Sequence, residues 1–340
     1  MLSRVVRTHD ALGITRPDPL LCNIDLHLRR AFHPVGFRLH LATNSREVME
    51  AAAECWRDYE PEFACEPMEL RVVVEAEGPR AVQPRFRMQN SLLSIVSDSH
   101  NFAAIDVNAQ MAAIYVTSAT AADHTLLRWS FLESIAYTLL AQRYLAPLHA
   151  ASVARGETAI LLCGESGAGK STLSFAAACA GWTYLSDDCT WLLAGSADAV
   201  AIGKPHQARF RDDAPELFPQ LGDYGSRERP NGKLSIEVPM RAFPEIRTAL
   251  RCRVGGLAWL DRGPRARPAL QQVEPDAVAR QLLNSCSYGE KVDAMHERAT
   301  GRLLHLPACR LRYESLEDGL RLLADFSEAI GIRPDTGSAA

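Results

Sequence analysis

Gly164-Glu165-Ser166-Gly167-Ala168-Gly169-Lys170-Ser171 fits the pattern G-x-x-x-x-G-K-[ST] at every position. The run before it, Thr158-Ala-Ile-Leu-Leu-Cys163, is short, apolar and rich in strand formers. The run after it, Thr172 to Ala180, is rich in alanine and suits a helix. Strand, glycine loop and helix together are the context that separates a phosphate-binding loop from a chance match in a glycine turn. Glycines let successive backbone N–H groups turn inward around a phosphate, and the helix N-terminus adds partial positive charge. The expected nucleotide contacts run from Gly164 through Thr172. Lys170 is placed to reach the β- and γ-phosphates, and the Ser171 hydroxyl to ligate Mg²⁺.

The composition allows such a site and excludes several alternatives. The chain has 340 residues, enough for one large or two ordinary domains. It is 47% hydrophobic and 23% charged, as globular proteins are. A net charge of -4 gives no electrostatic case for nucleic acid or an anionic membrane as partner. No run of 18 apolar residues would span a bilayer, and no apolar core follows the first residues as a signal peptide would require. Nine scattered cysteines, an odd number without a C-x-x-C pair, fit reduced thiols in the cytoplasm better than a disulfide frame or zinc site.

Residues 1 to about 34 read as irregular, broken by Pro17, Pro19 and Pro34. From Val35 the alternation predicts a strand, then a helix from Arg46 to about Tyr59 capped by Asn44 or Ser45. Strands follow over 70–75, 86–88, 92–97, 102–107 and 111–117, so the first half is expected to be a small α+β domain with an antiparallel sheet. A helix over 123–144 joins the halves. The remainder reads as 148–153, the loop strand and helix, a strand over 182–186, and a hairpin of 190–193 with 199–202. Residues 203–235 look irregular, with a mobile loop over 222–233 carrying Arg227, Arg229 and Lys233 as a candidate lid. Later strands are expected over 254–260, 303–306 and 309–313, with helices over 275–286 and from Ser315 to about Ile330. The expected division is residues 1–122, 123–332 and a disordered tail at 333–340. The whole reads as α/β, or α+β overall, with a mixed sheet in the second domain.

Asp187-Asp188 falls at the end of an apolar strand, 23 and 24 residues after Gly164. A carboxylate there suits an NTP site, holding Mg²⁺ or accepting a proton from an attacking hydroxyl. An ordinary Asp-rich turn is the alternative. His149, which begins the strand before the loop strand, is either a phosphate-side histidine or a structural one. Lys204 and Arg209 are candidate phosphate or substrate contacts, or parts of a solvated basic loop.

His149, Gly164 to Ser171, Gly181 and Asp187-Asp188 resemble the C-terminal catalytic core of the HPr kinase/phosphorylase family, clearly over about residues 145–193 and faintly to about 325. The loop and aspartate pair are also similar to those of ATP-dependent phosphoenolpyruvate carboxykinases. The chain departs from the family in Thr172-Leu-Ser, where HPr kinases have glutamate after the loop serine. It also lacks the E-[IV]-R-G-x-G signature; Asp212 or Asp213 stands near where a second metal ligand would fall. The resemblance implies an HPr-kinase-like P-loop domain using ATP and Mg²⁺. It implies Lys170 on the transferred phosphoryl group, Ser171 and Asp187 at the metal, Asp188 as base and His149 beside the phosphate. It also implies an unidentified protein or peptide acceptor, with homo-oligomers common in the family. A non-catalytic nucleotide-binding regulator and a small-molecule kinase remain the alternatives.

Overall fold

The computed structural model describes residues 6–9, 15–18, 24–229, 232–283 and 290–333. The chain divides into two compact units, Met1–Tyr137 and Thr138–Ala340. The expected tail therefore lies, from residue 334, outside the described residues, as does the end of the expected 275–286 helix.

In the first unit, β1 (Val6–His9) and β2 (Thr15–Asp18) form an antiparallel hairpin with Pro17 opposite Arg7. Next come β3 (Leu28–Phe32), β4 (Leu39–Thr43), α1 (Arg46–Trp56) and β5 (Met68–Glu75). The meander β6 (Arg85–Gln89), β7 (Leu92–Val96), β8 (Phe102–Asp106) and β9 (Met111–Thr117) follows. The described residues among the first 34 thus include three strands where irregular chain is expected. Strand β3 is an edge strand with three consecutive exposed residues, so it lacks the alternation that marks a half-buried strand.

The seven-stranded sheet runs β3-β4-β5-β9-β8-β7-β6 and is mixed, which corrects the expected antiparallel sheet. Strand β5 pairs parallel with both β4 and β9. The α1 crossover between β4 and β5 returns the chain to the same end of the sheet and makes that pair parallel. On α1, Val48, Ala51, Ala52 and Trp56 are buried along one face. Ser45 stands at the helix N-cap without a side-chain cap bond, while the Asn44 amide is spent on the Val74 backbone. After a short α2 (Ser118–Ala121), the expected helix over 123–144 appears as α3 (His124–Leu127), a π-turn over Arg128–Leu132 and α4 (Glu133–Arg143), and the division of the chain into units falls within α4.

The second unit is built on a nine-stranded sheet. Its strands are β10 (Leu145–Leu148), β11 (Ala151–Arg155), β12 (Thr158–Cys163), β13 (Thr183–Ser186), β14 (Thr190–Leu193) and β15 (Val200–Ile202), with α5 (Lys170–Cys179) after β12. A small separate sheet holds β16 (Gln207–Phe210), β17 (Ser226–Glu228) and β18 (Leu234–Pro239). The large sheet is completed by β19 (Arg251–Arg262), β20 (Ala269–Gln272) and β21 (Ala308–Tyr313). Helices α6 (Pro275–Leu283), α7 (Glu290–Gly301) and α8 (Leu316–Ala329) complete the unit.

Strand β12 is the centre of this unit. Ala159, Leu161 and Cys163 point into one core with Val278, Leu282 and Ala299, while Ile160 and Leu162 point into another with Leu173, Leu322 and Phe326. Helices therefore cover both faces, and a continuous apolar run is what a strand buried on both faces requires. Helix α5 is itself buried on two sides. Its Phe175 makes edge-on contacts with Phe210, Phe218 and Phe243 at 5.1, 5.0 and 5.4 Å.

Residues 203–235 are accordingly more ordered than their composition suggests. Ala208 and Phe210 of β16 and Ile236 and Val238 of β18 are buried against α5. The expected loop over 222–233 contains β17, paired to β18 and exposed throughout, with residues 230 and 231 outside the described set. The expected strand over 303–306 is instead a 3-10 turn, Arg302–His305, continuing from α7. Within it Leu303 packs inward and Leu304 is exposed. Gly255 and Gly256 do not weaken β19. A Cβ at Gly255 would lie 2.3 Å from Thr158 Cγ2, and one at Gly256 2.7 Å from Ile330 Cδ1, so close packing excludes a side chain at either place.

Candidate phosphate-binding site

The register of three strands assembles the site. Ala151 of β11 pairs with Leu162 near the end of β12, and Ser152 pairs with Ser186 at the end of β13. Strand β11 is antiparallel to both neighbours, so its start meets their ends. His149, Gly164 and Asp187 are separated by up to 38 positions in sequence and emerge at one end of the sheet. His149 lies in the break between β10 and β11, which corrects its expected place at the start of a strand.

The loop between β12 and α5 has the backbone the motif requires. Gly164, Gly167 and Gly169 have φ of 152, 92 and 93°, values that L side chains rarely adopt. Gly169 is the left-handed N-cap of α5, and no side chain occupies the cap. The first N–H groups of a ten-residue helix are thereby left for an anion.

Lys170 is only 5% exposed. Its ammonium donates to the Gly164 and Glu165 carbonyls at 2.9 and 3.1 Å and to His149 Nε2 at 3.0 Å. Burial lowers its pKa, and the nearby Asp188 carboxylate opposes the shift. On the other side of the imidazole, His149 Nδ1 stands 3.4 Å from Asp188 Oδ1. Asp188 is more than half exposed, so its carboxylate is open to a reactant.

Asp187 is its opposite, buried to 7% exposure. Burial, then the Asp188 charge, pushes its carboxyl up to about 6; Arg209 opposes the shift. It accepts hydrogen bonds from the Tyr184 hydroxyl at 3.3 Å and the Arg209 N–H at 3.0 Å. The Ser171 hydroxyl donates to the Asp187 carbonyl at 3.2 Å. Two adjacent carboxylates thus sit in different surroundings, one dry and one wet, which is how neighbouring acids acquire different tasks. Behind them Ser152, Ser186 and Thr190 form a buried hydroxyl chain anchored on the Ala150 carbonyl, fixing β11, β13 and β14 against one another.

The structure separates the two basic candidates. The Arg209 guanidinium binds Glu237 Oε2 at 3.0 Å and Gln207 Oε1 at 3.2 Å, while its backbone serves Asp187. Lys204 lies near Cys189, whose thiol is pushed up to about 12 by burial against the opposing Lys204 charge. Arg229, on the expected lid, donates to Ser235 Oγ at 2.7 Å and feels the charges of Arg209, Asp187, Asp188 and Glu237. Sequence reasoning missed Glu237 and Tyr184. The only available signal for Tyr184 was its position three residues before Asp187 in a strand, and Glu237 had none, because its role depends on the β16–β18 register.

The donor set fits Mg²⁺ and a polyphosphate. A hydroxyl and a carboxylate are hard oxygen ligands, and the glycine loop, helix N-terminus and buried ammonium suit phosphate oxygens. No family model matches the chain. No curated protein matches it. Among solved structures, the chain is similar to the Hpr(Ser) kinase/phosphatase from Coxiella burnetii, with a TM-score of 0.30 and 12% identity, over 54% of this chain and 97% of that one. No helix among the described residues is long and apolar enough to cross a membrane.

Proposed function

We propose that this protein is an ATP- and Mg²⁺-dependent phosphotransferase of the cytoplasm that passes the γ-phosphoryl group to a hydroxyl, with serine of a protein or peptide as the acceptor. One observation carries the reading: an exposed carboxylate, Asp188, is held by His149 beside the phosphate-loop lysine. An NTP-binding loop alone needs no such group, whereas hydroxyl attack does.

In this reading, ATP lies along the loop with its phosphates on the α5 N-terminus and Lys170. Ser171 and Asp187 would hold Mg²⁺, which supplies charge neutralisation on the β- and γ-oxygens. The acceptor oxygen forms a bond to the γ-phosphorus, the bond from that phosphorus to the bridging oxygen of ADP breaks, and the hydroxyl proton passes to Asp188. His149 orients Asp188 and shares the Lys170 charge. Positioning and charge stabilisation supply most of the rate in such chemistry. The test is incubation of the full chain with Mg-ATP and separate panels of proteins, peptides and hydroxyl metabolites. Phosphoserine in a protein or peptide supports the reading; phosphorylation confined to metabolites replaces the acceptor class.

A further inference from the structure

The nearest neighbour of the phosphate loop's central glycine is a guanidinium. A Cβ built on Gly167 would lie 3.1 Å from Arg211 Nη2, and all three of its closest neighbours are atoms of that guanidinium. Arg211 follows β16 and is exposed. Its side chain has no hydrogen-bond or ion-pair partner among the described residues, although Arg209 two positions before it is fully engaged. An arginine with free donors that is packed onto a phosphate loop has left its best hydrogen-bonding role unfilled.

Arg262 supplies the contrast. It stands at the end of β19 with Cδ 3.8 Å from a Cβ built on Gly169, but its Nε donates to the Glu314 carbonyl. Two arginines therefore flank the loop, and Arg211 is the one whose guanidinium is uncommitted. Gly167 takes a φ of 92° without strain, and a Cβ there would crowd the Arg211 guanidinium.

We propose that Arg211 is a second phosphate-binding cation of the site, closing over the polyphosphate from the β16 side and supplementing Lys170. This rests on the reading of the loop as a phosphate site, though not on any acceptor. A planar guanidinium gives two parallel donors to phosphate oxygens, which a lysine ammonium cannot match.

The experiment is calorimetric titration of the full chain with pyrophosphate and with Mg-ATP, comparing wild type, Arg211→Ala, Arg211→Lys and Arg262→Ala. Loss of a hydrogen-bonded charged contact predicts affinities weakened about ten- to a hundredfold in Arg211→Ala for both ligands, with Arg211→Lys only partly restored. Arg262→Ala stays within about threefold. Equal affinities in wild type and Arg211→Ala would overturn the role of Arg211 while leaving the loop reading intact. Failure of the wild type itself to bind either ligand would overturn both. The melting temperature of each ligand-free variant, unchanged from wild type, separates lost binding from lost folding.

Discussion

His149 stands between Lys170 and Asp188, with Nε2 3.0 Å from the ammonium and Nδ1 3.4 Å from the carboxylate. An ammonium has no acceptor, so Nε2 must offer its lone pair, which assigns the ring proton to Nδ1, on the side of Asp188. One ring thus stands against both the cation and the proposed base. Replacing His149 with Ala frees Asp188 and takes one partner from Lys170. The expected result is a fall in kcat of about a hundredfold with KM for ATP changed by less than about threefold. Steady-state kinetics checks this, and a kcat within threefold of wild type would remove His149 from the site.

Asp187 makes the protein's stability depend on pH. Its folded carboxyl titrates at about 6, above the ordinary 3.8, because it is buried and beside Asp188. The native state therefore holds an extra proton between these values, and stability falls as pH rises from about 4 to about 6. The loss amounts to about 3 kcal/mol once both states are ionised. Urea unfolding without Mg²⁺ should show this slope in wild type and a flatter profile in Asp187→Asn. Mg²⁺ affinity should move the other way, rising through pH 6 as the carboxylate forms.

Gly203 links the site to the sheet. A Cβ there would stand 2.2 Å from the Leu185 carbonyl oxygen, and Leu185 lies two residues before Asp187. Backbone cannot yield as a flexible side chain does. Gly203→Ala is expected to destabilise by about 1–3 kcal/mol, read as a lower urea midpoint at constant slope. Because the displaced strand ends at Ser186, next to Asp187, Mg²⁺ affinity should fall as well.

The first unit carries its own pH dependence. His124 Nδ1 lies 2.6 Å from Glu54 Oε1 and its Nε2 3.1 Å from Glu47 Oε2. Burial pulls the imidazole pKa down, but the two glutamates outweigh it and raise the value above 6.5. The stabilisation is fully present below that value and is lost as pH rises through the folded pKa. His124→Gln should remove this decline in unfolding followed by the near-ultraviolet signal of Trp56, which is buried in the first unit.

Much of the site was legible because its signals are local. The loop, its strand and its helix occupy 22 consecutive positions, 158–179, and need only glycine chemistry and an apolar run to be read. Asp187 was legible from strand-end position. The partners of these residues were not. Arg209 meets Asp187 through backbone, Glu237 meets Arg209 through cross-strand register, and Arg211 meets Gly167 through a missing side chain. None of these leaves a trace in spacing. The fold followed the same division. Strands β7, β8 and β9 alternate and were visible, while edge strands β3 and β17 are exposed and carry no pattern. Parallel pairing of β5 with β9 depends on which strand the chain returns to, and sequence periodicity does not encode that.

Phosphoryl transfer assisted by Asp188 at the Lys170 site is what distinguishes a kinase from a nucleotide-binding protein here. Its most direct measurement is transfer of radiolabelled γ-phosphate from ATP to serine in candidate proteins and peptides by wild type, Lys170→Ala and Asp188→Asn. Labelled phosphoserine is expected from wild type. A loss of about a hundredfold or more is expected in each variant, with ATP still bound by Asp188→Asn. Labelling that survives both substitutions at the wild-type rate would contradict it.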